Sequence, residues 1–199
     1  MYKLYSLAGS CSTGITILLE RLGVDYEVIQ RNDVENYLDI VATNQVPALV
    51  DNDMIIAEGA AIALYLLEKH CDVFATMKLQ HKAKFYQKLM FNYATLHPAY
   101  AKIITVSRVS EDKDIKLMQK LADKVSDLWV MIDNDLANNE FMFENQPTVI
   151  DYLLTIYTTW GKYVPEVDIK ICSNVHRLAN QISQTPEFKA AYKKENITF

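Results

Sequence analysis

The stretch Asn44-Gln45-Val46-Pro47-Ala48-Leu49-Val50-Asp51-Asn52-Asp53-Met54-Ile55-Ile56-Ala57-Glu58-Gly59-Ala60-Ala61-Ile62 decides the fold. Val46 to Val50 is a short apolar run with a proline near its start, which reads as a strand. Asp51-Asn52-Asp53 is a turn signal, and Met54 to Ala57 reads as the returning arm of a hairpin. Gly59 through Lys69 is Ala-rich and apolar, which predicts a helix.

Upstream, residues 2–6 form a Tyr-rich apolar run suited to a buried strand, which Gly9 breaks before Ser10-Cys11-Ser12. Ile15, Leu18, Leu19 and Leu22 have helical spacing, and Gly23 stops the run as a C-cap does. Tyr26 to Ile29 reads as a second strand and Val34 to Val41 as one short helix. The order β-α-β-α-β-β-α, with a parallel crossover first and a hairpin after it, is the thioredoxin-like arrangement.

Downstream the character changes. No glycine occurs between Gly59 and Gly161. Phe85, Leu89 and Tyr93 make one helical stripe, and Leu117, Leu121, Leu128 and Ile132 another. Thr148 and Asp151 have capping-box spacing, and Tyr152 to Trp160 is apolar on more than one face, as a central helix would be. The expected fold class is therefore an α/β thioredoxin-like domain at 1–71 followed by an all-α domain at 78–199. Residues 72–77 form the linker, whose Val73 and Phe74 should pack on something.

Composition narrows the function. The chain has 199 residues, half of them apolar, and a net charge of −5, which argues against nucleic acid and anionic membranes as partners. Charged runs such as Glu111-Asp112-Lys113-Asp114 read as solvated helix faces. Nothing at the start reads as a signal peptide, and no window approaches the ~20 apolar residues of a membrane span. Cys11, Cys71 and Cys172 are odd in number, widely spaced and without a CxxC pair. That argues against a disulfide framework or a metal site, and a reducing cytoplasm is the simplest inference.

Gly9-Ser10-Cys11-Ser12, Gln45-Val46-Pro47-Ala48-Leu49, Glu58-Gly59-Ala60-Ala61-Ile62 and Leu96-His97-Pro98-Ala99-Tyr100 occur in that order. Together they resemble motifs of the glutathione transferases, most closely the bacterial beta class, and the likeness covers almost the whole chain. The resemblance implies a detoxifying, homodimeric enzyme that binds glutathione as co-substrate and transfers its thiol to a small hydrophobic electrophile. It also implies a cis Val46-Pro47 bond whose preceding backbone pairs with the cysteinyl part of glutathione. The γ-glutamyl group would then lie at Glu58-Gly59, His97 near the bound thiol, and Cys11 against the glutathione sulfur, able to form a mixed disulfide. Ser10 or Ser12 could share the thiolate by hydrogen bonding.

The residues allow other roles. A cysteine at a helix N-terminus can have its pKa lowered and act as a nucleophile, and it can equally be a small buried apolar residue. Ser10 or Ser12 can cap the helix, Glu58 can complement the helix dipole, and His97 can be structural. Met90, Phe91, Tyr93 and Tyr100 are near enough in sequence to line an electrophile pocket, although most such residues are core. The chain departs from the beta class between the second strand and Val46, where Arg31 is the one basic residue of 30–44. Asn92 precedes His97 by five residues and not the family's seven, which in an α-helix puts it on another face. The alternative function is a non-catalytic member of the fold, such as a stringent-starvation-type regulator.

Overall fold

The computed structural model describes residues 1–109 and 114–199. The strands are β1 (Tyr2–Ser6), β2 (Tyr26–Gln30), β3 (Ala48–Asp51) and β4 (Met54–Ala57). The helices are α1 (Cys11–Leu22), α2 (Gly59–His70), α3 (Asp72–Ala75), α4 (Leu79–Phe91), α5 (His97–Val109), α6 (Ile115–Leu136), α7 (Val149–Tyr157), α8 (Ser173–Ser183) and α9 (Pro186–Lys194). They form two compact units, one of Met1–Tyr86 with Ser183–Phe199 and the other of Gln87–Ile182.

The first unit is built on one sheet in the order β2-β1-β3-β4. β1 runs parallel to β2 and antiparallel to β3, and β3 pairs antiparallel with β4 across the turn at Asn52 and Asp53. A parallel pair needs a crossover, and α1 supplies it. Every residue of α1 from Cys11 to Leu19 is buried, and Gly23 ends the helix in the left-handed conformation at φ 64°. α3 occupies the expected linker. It buries Phe74 edge-on against Phe85, with ring centroids 5.0 Å apart, and leaves Val73 exposed.

Two expectations are corrected here. No α-helix forms over Val34 to Val41; two 3-10 turns, Arg31–Asp33 and Tyr37–Asp39, take its place. Asn36 between them sits at φ 53°, which no helix accommodates, and of this stretch only Tyr37 and Val41 are buried, around Ala48. In addition, the last helix does not stay with the helical half. α9, capped by Thr185 with Pro186 in its first turn, packs against α1 within the first unit.

The second unit is helical. α4 passes into a π-helical turn, Asn92–Leu96, before α5. α6 buries Met118, Ala122, Val125, Trp129, Ile132 and Leu136. The expected stripe holds at Ile132 but is displaced by one residue before it, with Leu117 exposed and Leu121 and Leu128 only half-buried. The reason is Trp129, whose large ring enters the core and whose Nε1 donates to the Tyr100 hydroxyl at 2.8 Å. The charged run at 111–113 lies outside the described residues, and Asp114 caps α6 by accepting from the Leu117 amide at 3.0 Å.

The capping box of α7 is present, and it does more than cap. Asp151 Oδ2 accepts from the Thr148 amide at 2.8 Å, while Oδ1 accepts from the Met142 amide, also at 2.8 Å, tying the preceding loop to the helix. Every residue of α7 is buried, and burial pushes the Asp151 carboxyl up to about 6. Asp151→Ala should strand the buried Met142 amide and the part-buried Thr148 amide and cost about 3 kcal/mol in urea denaturation. Because the folded pKa lies above the ordinary carboxylate value, the proton favours the fold. The stability of the wild type relative to Asp151→Asn should therefore be greatest below about pH 4. It should fall as pH rises through about 6.

Candidate functional site in the first unit

The loop from β1 to α1 is ordered by hydroxyls. Ser10 is the N-cap of α1, its Oγ accepting from the Ser12 amide at 3.2 Å. Ser12 is fully buried, and its Oγ lies 2.7 Å from both Ser6 Oγ and Ser10 Oγ while accepting from the Leu7 amide at 3.0 Å. Thr13 Oγ1 accepts from the Gly9 amide at 2.9 Å. Ala8 is held from β2, its amide donating to Gln30 Oε1 at 3.2 Å.

These hydroxyls converge on Glu195, the residue that follows α9. Its carboxylate, 6% exposed, accepts from Ser6 at 3.1 Å, from Thr13 at 2.6 Å and from Thr16. Each hydroxyl has one proton. Ser6 gives its own to Glu195, so Ser12 donates to Ser6 or the Leu7 carbonyl and Ser10 to Ser12. Both candidate serines are thus engaged within the loop, Ser12 completely. Sequence reasoning missed Glu195 because Lys193-Lys194-Glu195 reads as an ordinary solvated end.

Cys11 opens α1 as expected. Its Sγ lies 3.9 Å from the Val46 carbonyl oxygen, and the Val46-Pro47 bond is cis. Of the two readings open for Cys11, the lowered pKa is not the one found. Burial pushes the Cys11 thiol up to about 12; the backbone amides of Cys11 and Ser12 pull it down, and the Glu58 carboxylate adds to the rise. Desolvation of a thiolate outweighs the helix terminus here.

The neighbouring wall rests on Tyr37. Its hydroxyl donates to the Gln45 carbonyl at 2.9 Å, and burial raises its pKa to about 12, so it remains a donor. Arg31, the one basic residue of the segment, sits 5.1 Å over the Tyr37 ring and donates to Asn44 Oδ1 at 2.6 Å. Gln45 is exposed and Pro47 buried. Glu58, also exposed, adopts φ 70° immediately before α2, a region non-glycine residues occupy at a cost of about 1–3 kcal/mol. Its side chain does not cap α2, so the amides from Gly59 onward open the helix uncapped by it.

His97 belongs to the second unit, half-buried edge-on to Trp160 and Tyr157, and burial holds its pKa below the usual histidine value. Tyr100, a candidate pocket residue, is instead fully buried core. The α-helical reckoning that separated Asn92 from His97 also fails. The π turn bonds the His97 amide to the Asn92 carbonyl, setting the two residues one turn apart on the same side. Among the described residues no group of three or more His, Cys, Asp or Glu could hold a metal ion, and no helix is long and apolar enough to cross a membrane.

Residues 1–68 match the glutathione S-transferase N-terminal domain. The chain is 23% identical to the uncharacterized GST-like protein YncG of Escherichia coli K12, across 99% of this chain and 100% of that one. It superposes on a glutathione S-transferase from Xylella fastidiosa with a TM-score of 0.85 at 21% identity, over 100% of both chains. A sphingomonad glutathione S-transferase solved with glutathione gives 0.83 at 23% identity, over 98% of this chain and 100% of that one. The first 68 residues are thus a glutathione S-transferase N-terminal domain, and the chain as a whole has the glutathione-transferase fold.

Glu195→Ala should leave three buried hydroxyls without their acceptor and cost about 3 kcal/mol in urea denaturation, with Glu195→Gln losing less. In the native wild type a thiol reagent at neutral pH should reach Cys71 before Cys11, and Glu195→Ala should narrow that gap.

Proposed function

We propose that the chain is a glutathione S-transferase whose glutathione site lies in the first unit. The observation that carries this reading is the convergence there of Cys11 Sγ, the Val46 carbonyl beside cis-Pro47 and the Glu58 carboxylate, the last near enough to shift the Cys11 thiol. Gln45 and Val46 would pair with the cysteinyl backbone of glutathione. The amides opening α2 from Gly59 suit the γ-glutamyl carboxylate, and exposed Glu58 its ammonium group.

A thiol held at about 12 stays protonated at neutral pH, so Cys11 acts as a donor and not as the nucleophile. In this reading its S–H turns from the Val46 carbonyl to the glutathione sulfur. The glutathione thiol gives its proton to solvent, and the thiolate forms a carbon–sulfur bond as the electrophile's leaving group departs with its electron pair. Ser10 and Ser12 hold the loop. A cytoplasmic two-fold homodimer completes the proposal, and sedimentation velocity at micromolar concentration should return twice the chain mass.

A second reading, a glutathione-binding protein of this fold without turnover, is favoured by the high Cys11 pKa and by the full engagement of Ser12. Calorimetry should show millimolar or tighter glutathione binding, weakened about tenfold by Glu58→Ala, the loss of one charged contact. No binding would sink both readings. Conjugation of 1-chloro-2,4-dinitrobenzene should survive Cys11→Ser, which keeps a donor, and drop in Cys11→Ala. Binding without conjugation would select the second reading. Thiol–disulfide exchange that needs Cys11 would show that the buried thiol ionises once glutathione is bound.

A further inference from the structure

The peptide unit that joins Gln45 to Val46 is trans. In a planar trans unit the carbonyl of one residue and the amide of the next point in opposite directions. The Gln45 carbonyl accepts from the Tyr37 hydroxyl at 2.9 Å. The Val46 N–H therefore points away from Tyr37, and it makes no hydrogen bond to any described residue. A main-chain donor left open in this way is one for water or a ligand to take. It belongs to the residue whose carbonyl meets Cys11, with Sγ 3.9 Å from the Val46 oxygen.

We infer that Tyr37 is a positioning residue whose hydroxyl aims the Val46 N–H at the cysteinyl carbonyl of glutathione. The inference rests on the glutathione site proposed above and names the residue that orients it. Tyr37 can hold a direction because it is itself fixed to the sheet. It is 1% exposed, shares a core cluster with Val41 and Ala48, and sets its ring edge-on to Tyr5 of β1 with centroids 5.4 Å apart. Its own carbonyl accepts from the Ile40 and Val41 amides at 3.0 and 2.9 Å, so main chain and side chain are both tied down. Gln45, by contrast, is exposed. Without the hydroxyl its carbonyl can turn to water, and the rigid unit carries the Val46 N–H round with it, because only the two flanking dihedrals are soft.

The test is Tyr37→Phe, which keeps the buried ring and removes one hydroxyl. By calorimetry on the full-length protein, glutathione should bind this variant about tenfold more weakly than wild type. Amide NMR of the isotope-labelled protein supplies a readout that a purely structural role would leave unmoved. Saturating glutathione should shift the Val46 amide proton of the wild type downfield, as a new hydrogen bond does, and that shift should be lost in Tyr37→Phe. The wild-type shift is read without any variant, so an unstable Tyr37→Phe would not spare the inference. Glutathione binding that leaves the wild-type Val46 amide in place would overturn it. So would wild-type affinity in Tyr37→Phe, or weakened binding with the full Val46 shift, which would make the hydroxyl a support for the fold alone. No glutathione binding by the wild type would bring down the proposed site itself, and this inference with it.

Discussion

The first unit depends on one buried carboxylate. Glu195 follows the last helix, yet it accepts from a residue of β1 and two residues of α1. A buried carboxylate is tolerated only when it is fully hydrogen-bonded, and three hydroxyls meet that demand with no cation in the set. The geometry of the Cys11 loop follows. Thr13, fixed by Glu195, holds the Gly9 amide; Ser6, fixed likewise, holds Ser12, which in turn holds Leu7 and Ser10. The chemistry at the N-terminus of α1 is thus set by a residue more than 180 positions away in sequence.

The same close packing decides what Cys11 can do. A helix N-terminus favours an anion, but only where water or a partner shares the charge. At Cys11 the surroundings are nearly dry and the Glu58 carboxylate also opposes ionisation, so the thiol stays neutral. A neutral thiol next to a cis-proline strand and an uncapped helix start is equipped to recognise another molecule's sulfur. That division of labour, recognition by the protein and nucleophilicity by the bound thiol, is the core of the proposed function.

The second unit uses a carboxylate differently. Asp151 closes a local loop onto its own helix and ties Met142 to α7, where Glu195 joins segments remote in sequence. Both are carboxylates satisfied by donors of the chain itself, so each holds backbone geometry without a salt bridge. Between α4 and α5 the π turn re-phases the helix, which moves His97 into line with Asn92, whose side-chain oxygen is buried without a hydrogen-bond partner.

The strands, α1 with its Gly23 stop, α2 and the capping box were legible in the sequence because each is dictated by local pattern: apolar runs, glycine conformation and a three-residue spacing. Cys11, Val46, Pro47 and Glu58 stood out as short motifs through the family resemblance, and the structure sets Cys11 Sγ against the Val46 carbonyl beside a cis Val46-Pro47 bond. Tertiary structure alone decided the rest. Whether Tyr37 and Val41 carry a helix depended on the positive φ of Asn36. Which stripe of α6 faces inward was settled by where the Trp129 ring fits. The thiol of Cys11 is neutral because of how deeply α1 is buried, and no local pattern encodes burial. Glu195 ends a run that looks solvated, and only the return of α9 onto α1 turns it into an interior acceptor.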